Sequence, residues 1–231
     1  MIRFENVYKR YPSGREALKG VTFALERGEM AFLTGPSGAG KSTLLKLVTL
    51  IEKPTRGTVL VNRQNTARVA RRRIPGFRQR IGVVFQDHKL LYDRSVFDNV
   101  ALPLVILGLG TREISRRVRA ALDQVGLLGR ERHAPITLST GEQQRVGIAR
   151  AVASRPDVVV ADEPTGNLDP ELSLEIMRLF ERFNEVGVTL LIATHDLDLV
   201  ERLGRRRIRL VDGQVEADGR LAAAEAVHGF R

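Results

Sequence analysis

The 231-residue chain contains no cysteine, which excludes disulfides, thiolate metal sites and cysteine nucleophiles. Its fold must be held by packing alone. It also lacks an apolar run long enough to cross a bilayer. The longest stretch free of Asp, Glu, Lys and Arg, from Asn99 to Thr111, is interrupted by Pro103, Gly108 and Gly110, whereas a spanning helix needs about 20 mostly apolar residues. The N-terminus, Met1-Ile2-Arg3-Phe4-Glu5, alternates like a strand and lacks the layout of a signal peptide. A cytoplasmic location is expected. No internal repeat or low-complexity segment occurs, and the tail 221–231 carries no signal of its own.

Acids are in deficit, 27 against 37 Lys and Arg, which leaves a net charge of +10. The surplus collects at Arg68 to Arg80, at Arg116, Arg117 and Arg119, and at Arg202 to Arg209, without aromatic residues interleaved. A solvated surface, a membrane-adjacent surface and a nucleic-acid surface all remain open on composition.

What the chain does contain is a phosphate-cradling loop, Gly35, Pro36, Ser37, Gly38, Ala39, Gly40, Lys41 and Ser42, followed by Thr43. It lies between the apolar run Met30 to Leu33 and the helical pattern Leu44-Leu45-Lys46-Leu47. Backbone N–H groups of such a loop close around phosphate oxygens and the helix offers its positive end. Lys41 is placed to reach the β- and γ-phosphates and Ser42 to ligate Mg²⁺. The expected ligands are therefore a nucleoside triphosphate and Mg²⁺.

Around this loop the elements read in a definite order. Residues 1–33 form short strands broken by turns at Tyr11 to Gly14 and Arg27 to Glu29. A helix runs from the loop to about Leu50, a turn spans Pro54 to Gly57, and strands follow at Thr58 to Val61 and at Arg80 to Phe85. From Asp87 to about Pro135 the pattern is helical, with Ile114, Val118, Ala121, Leu122 and Val125 at three- and four-residue spacing. A second block alternates helix Glu142 to Ala153, strand Val158 to Ala161, helix Pro170 to Glu185, strand Thr189 to Ala193 and helix Leu197 to Leu203. A hairpin turning at Asp212-Gly213 closes it. This alternation predicts an α/β fold with a mainly parallel sheet covered on both faces.

The run Val158 to Ala161 ends on Asp162 and Glu163, so a buried strand presents two carboxylates at its carboxyl end, where open α/β sheets bind ligands. Asp162 suits the metal and Glu163 suits orientation and deprotonation of water. Leu138-Ser139-Thr140-Gly141-Glu142 precedes a helix and resembles a second anion-binding helix tip. Taken alone, Ser139 to Gln143 reads more often as a plain helix cap.

Lys41, Gln86, Leu138 to Gln143, Asp162-Glu163, Asn167-Leu168-Asp169 and His195 occur in the order and spacing of the ATP-binding cassette ATPases, which the whole chain resembles. The segments Gly28 to Gly35, Phe85 to His88, Asp98 to Ala101, Gly141 to Val152 and Leu179 to Asn184 resemble the members of that family that act in bacterial cell division. The resemblance implies a P-loop NTPase (RecA-like) core with an N-terminal antiparallel β subdomain, residues 1–86 and 136–220, and an inserted α-helical subdomain, residues 87–135. It implies that Tyr11 stacks on adenine and that Gln86 senses Mg²⁺ and the attacking water. Ser139 and Gly141, with Glu142 in the same tip, would contact nucleotide across a dimer interface that Asp169 lines. His195 would clasp the γ-phosphate from its own subunit.

The implied partners are a second copy on ATP binding, an integral membrane subunit of the FtsX kind and other division proteins, with no specific nucleic acid. The implied location is the cytoplasmic face of the inner membrane at the septum. A lipoprotein-release or macrolide-type exporter subunit, or a soluble cassette acting on DNA or ribosomes, is the alternative. Thr140 departs from the glycine usual at its position in the family and suits only an extended or helical backbone.

Overall fold

In a computed structural model, residues 1–220 are described; the tail 221–231 lies outside the described residues. The N-terminal strands β1 (Ile2–Arg10) and β2 (Glu16–Leu25) pair antiparallel, and β4 (Arg56–Val61) and β5 (Gln64–Asn65) extend the same sheet in the order β2-β1-β4-β5. Ile2, Phe4 and Val7 are buried along one side of β1, and the Phe4 and Phe23 rings stack at 4.8 Å. This is the expected antiparallel β subdomain.

The second sheet holds strands β3 (Met30–Thr34), β6 (Ile81–Val84), β7 (Val158–Asp162), β8 (Thr189–Ala193), β9 (Arg206–Val211) and β10 (Gln214–Arg220), in the order β10-β9-β3-β8-β7-β6. Its strands run parallel except for β10. Side chains of a strand alternate between faces, and here both faces are apolar. Phe32, Val159, Ala161, Leu190 and Ile192 enter one core, whereas Ala31, Leu33, Val158, Val160, Leu191 and Ala193 enter the other. The unbroken apolar runs therefore mark strands covered on both sides.

Helix α1 (Lys41–Val48) covers one face through Leu44, Leu47 and Val48. The other face carries α3 (Val96–Ile106), α4 (Thr111–Gln124), α5 (Thr140–Val152), α6 (Pro170–Glu185) and α7 (Leu197–Leu203). The inserted part is narrower in helix than its pattern suggests, because residues 87–95 are turns and the helical pattern is confined to α3 and α4, followed by 3₁₀ turns. Ser95 caps α3 in a reciprocal pair with Asp98, which fixes where that helix begins. Helix α5 likewise starts at Thr140, two residues before the expected Glu142, because Ser139 is its cap.

Four further elements give no periodic signal in the sequence: β5, a short helix α2 (Ile74–Arg78), and 3₁₀ turns at Thr66–Arg68 and Arg71–Arg73. They are pinned by Phe77, Val69 and Ile74, which pack on the core under α1. The first helix ends at Val48, just before Leu50 takes a φ of 55°.

Sheet and helix meet most closely at Gly82, where an added Cβ would lie 2.5 Å from the Ala151 carbonyl oxygen of α5. Gly82→Ala should push β6 from α5 and destabilise the protein by about 1–3 kcal/mol. Thermal unfolding followed by circular dichroism checks this; an unchanged Tm would show that the contact yields without cost.

Candidate active site

Four neighbouring parallel strands, β3, β8, β7 and β6, release their chains at the same edge of the sheet. The phosphate loop follows β3, His195 follows β8, Asp162 and Glu163 end β7, and Gln86 follows β6. Residues far apart in the chain thus line one cleft of about 740 Å³, which also includes Tyr11 and Thr43.

The loop needs its glycines where the chain comes close to itself. Gly35 has φ 141° and a Cβ there would collide with the Leu210 carbonyl; Gly40 has φ 109° and its Cβ would sit 2.5 Å from the Ala17 oxygen. Both are conformations that an L side chain resists. Lys41 folds back into the loop, donating to the carbonyls of Gly35 at 2.7 Å and Pro36 at 3.4 Å. Its Nζ also lies 3.8 Å from Glu163 Oε1.

Glu163 is the most constrained group of the site. Its φ of 48° is unusual for a residue with a side chain and stores about 1–3 kcal/mol of strain. The backbone is held there by a bond from Glu163 N to Ala193 O at 2.9 Å. Its Oε2 accepts from His195 N at 3.2 Å and lies 2.8 Å from His195 Nδ1. The carboxylate is therefore held between Lys41 and His195.

Beside it, burial pushes the Asp162 carboxyl above its ordinary pKa; the Ser42 hydroxyl opposes that rise, the neighbouring Glu163 charge adds to it, and Lys41 opposes it. A half-buried carboxylate whose ionised form lacks enough positive charge suits a cation. Ser42, Gln86 and Asp162 offer the hard oxygen donors that Mg²⁺ prefers. Among the described residues no cluster of three or more His, Cys, Asp or Glu could hold a metal, so phosphate oxygens and water would complete its shell.

Tyr11 reaches the cleft through its hydroxyl, 3.2 Å from Thr43 Oγ1, and the Lys9 ammonium lies 5.0 Å from its ring centre. Arg15, which the sequence reading did not single out, donates to the Gly38 carbonyl at 3.2 Å and lines the same cleft, as does Lys46. Neither has a motif; only the approach of the β1–β2 turn to the loop reveals Arg15.

Ser139, Gly141, Glu142 and Asp169 do not line this cleft. Ser139 accepts from Glu142 N at 3.2 Å while the Glu142 carboxylate accepts from Ser139 N at 2.9 Å. Glu142 thus serves as the reciprocal cap of α5, and this bond to Ser139 lowers its pKa. Asp169 caps α6 through Glu171 N and Leu172 N. Leu172 in turn packs where a Gly141 Cβ would fall, so the two helix tips lie side by side. Thr140 is the first residue of α5 with a negative φ, so its branched side chain is accommodated without strain.

A glycine-lined phosphate loop, an inward lysine and strand-end carboxylates at one sheet edge define a P-loop nucleoside triphosphatase. The ABC transporter family profile matches residues 18–166. The cell division ATP-binding protein FtsE of Escherichia coli K12 is 58% identical over 215 residues, covering 93% of this chain and 97% of that protein. FtsE of Bacillus subtilis is 46% identical, covering 94% and 96%. A solved dimeric ATP-binding cassette in a post-hydrolysis state with ADP and Pi superposes with a TM-score of 0.88 at 36% identity, covering 96% of this chain and 99% of that one. This chain belongs to the ABC transporter family, as an ATPase subunit similar over nearly its whole length to cell-division members.

Lys41→Ala should abolish MgATP binding while leaving the melting curve close to that of the parent, and Arg15→Ala should weaken binding about tenfold through a lost charged contact. Titration with a fluorescent ATP analogue checks both; undiminished affinity in the lysine variant would overturn the assignment of the loop.

Proposed function

We propose that two copies of this chain close head to tail on ATP, hydrolyse it, and pass the motion to a membrane partner of the FtsX kind in cell division. The observation that carries the reading is the placement of the Ser139 tip. It is exposed and outside the cleft formed by its own chain, although it presents a capped helix end with N–H groups suited to an anion. A second copy supplies what a single cleft lacks. Both tips, with Gly141 and Asp169, then face a nucleotide held by the other subunit.

Within one cleft the γ-phosphate competes with the Glu163 carboxylate for Lys41 and His195. Both partners now held by Glu163 are donors that favour a phosphate oxygen. Once released from them, Glu163 accepts a proton from water as the water oxygen bonds to the γ-phosphorus and the bond to the β,γ-bridging oxygen breaks. ADP leaves with that electron pair and inorganic phosphate is formed. Mg²⁺, when bound, neutralises charge on the β- and γ-oxygens, and Ser42, Asp162 and Gln86 are the side chains that would hold it. Tyr11 packs on the base, with Arg15 and Lys46 adding positive charge at the rim of the cleft.

ATP touches both subunits only in the closed state, so its binding free energy shifts the population toward closure. The segment from Gln86 to about Leu109 is suited to carry the change outward. It begins at a site residue and ends on α3, whose Leu102, Val105 and Ile106 are exposed beside an apolar groove of about 390 Å³. In this reading the membrane subunit docks on that face, and the chain works on the cytoplasmic side of the membrane at the septum. The names and full-length similarity of the FtsE relatives favour division over a lipoprotein-release or macrolide exporter.

Glu163→Gln should retain MgATP binding, lose at least about a hundredfold in turnover, and accumulate a dimer with ATP in analytical ultracentrifugation. Wild-type turnover, or a monomer with bound nucleotide, would sink the reading. Thr140→Gly should leave ATP-driven dimerisation unchanged, because no strain is relieved; marked weakening in the same sedimentation assay would assign the threonine a contact of its own.

A further inference from the structure

The three basic clusters of the sequence have different fates in the fold. Arg116 and Arg117 both bind Glu113, holding its carboxyl down at about 2, and Arg119 binds Glu131. In the C-terminal cluster, Arg205 pairs with Glu181, Arg206 with Glu29 and Asp218, and Arg209 with Glu216. These charges are answered within the chain, whereas Arg202 and Arg207 of the C-terminal cluster make no ion pair among the described residues. The segment between β5 and β6 differs, since no acidic residue occurs between Glu52 and Asp87.

Within that segment two arginines are structural. Arg78 donates to the Thr49 and Leu50 carbonyls at the end of α1, at 3.1 and 3.0 Å, and Arg80 is tied to Asp157 at 2.6 Å. Arg68, Arg72 and Arg73 make no ion pair and no side-chain hydrogen bond among the described residues, yet all three line one cleft of about 580 Å³ with Arg80 and the amide side chains of Gln64 and Asn65. The packing explains their convergence. Val69, Ile74 and Phe77 are drawn into the core, and the 3₁₀ turns just before Val69 and just before Ile74 hold Arg68, Arg72 and Arg73 on the outer side. Like charges gathered without a counter-charge cost free energy, so the arrangement is suited to an anion from outside. A nucleobase has no exposed aromatic platform there, because Phe77 is only 8% exposed.

We infer that this arginine cleft binds the phosphate of anionic phospholipid headgroups. Helix α2 separates it from the apolar groove beside α3, with Pro75, Arg78 and Gln79 forming the groove wall. The inference rests on the proposed docking of a membrane subunit in that groove, which brings the α2 segment near the lipid surface. Guanidinium groups in such a position bind phosphate in paired hydrogen bonds, and the attraction weakens as salt rises.

The test is flotation of the purified full-length chain, without partner, on vesicles of phosphatidylcholine alone or mixed with phosphatidylglycerol. Binding is expected only to the anionic vesicles and should fall with added salt. Arg68→Gln/Arg72→Gln/Arg73→Gln should weaken it on the order of a hundredfold, with ATP turnover unchanged. Arg112→Gln/Arg132→Gln/Arg178→Gln, which removes the same charge from the exposed surface elsewhere, should have much the smaller effect. Equal loss in both triple variants, or absence of binding to anionic vesicles, overturns the inference. So does binding of a glutamate-rich peptide, rather than vesicles, that depends on the three arginines. Since no dimerisation or partner is needed, a negative result here leaves the Glu163→Gln test of the proposed function standing, and the reverse also holds.

Discussion

Adjacency of β3, β8, β7 and β6 in parallel is the constraint from which the chemistry of this protein descends. Parallel strands require crossover connections, and those connections all leave from the edge where the strands end. The lysine loop, the histidine, the paired acids and the glutamine each lie at or just beyond the carboxyl end of a buried strand. Their mutual distances follow from the spacing of strands in a sheet. The apolar runs on both faces stiffen that edge, so the site rests on the best-packed part of the molecule.

On this scaffold the electrostatics are arranged around a shortage and a surplus. Lys41 and His195 both lie against Glu163, while the half-buried Asp162 has too little positive charge about it. In the proposed reading a nucleotide with its metal ion would answer both conditions, the phosphate meeting the two donors and the cation the acid. The strained backbone of Glu163 keeps its carboxylate at the meeting point of the two. The pair of helix tips proposed to meet the nucleotide of a second copy is built differently, by capping. Ser139 with Glu142 and Asp169 with its two amide donors satisfy helix ends locally, and Leu172 against Gly141 sets the tips side by side.

The surface follows the same logic of local answers. Most cationic clusters are neutralised by carboxylates on adjacent turns or strands. The segment carrying Arg68, Arg72 and Arg73 stands apart because it has no acid of its own and its apolar residues are committed inward. It shares helix α2 with the groove beside α3, so a charged face and an apolar face meet on one short element.

Much of this was legible in the chain itself. The phosphate loop is contiguous, so Gly35 to Ser42 announces its ligand without a fold, and the run Val158 to Ala161 ending on two acids announces a buried strand. Helix α6 and strand β8 fall where their apolar spacing puts them. The arginine-rich stretch was opaque, since α2 and its 3₁₀ turns have no period and are held only by Val69, Ile74 and Phe77 from a distant core. Arg15 was opaque for a related reason: its partner, the Gly38 carbonyl, belongs to another element. The sequence by itself determined which local segments form and which residues are candidates for phosphate, metal and water chemistry, because spacing and side-chain type are local properties. Only the tertiary structure decided which of them share a cleft, that the Ser139 tip stands outside it, and which arginines remain without a counter-charge, because those depend on strand order and on contacts between distant parts of the chain.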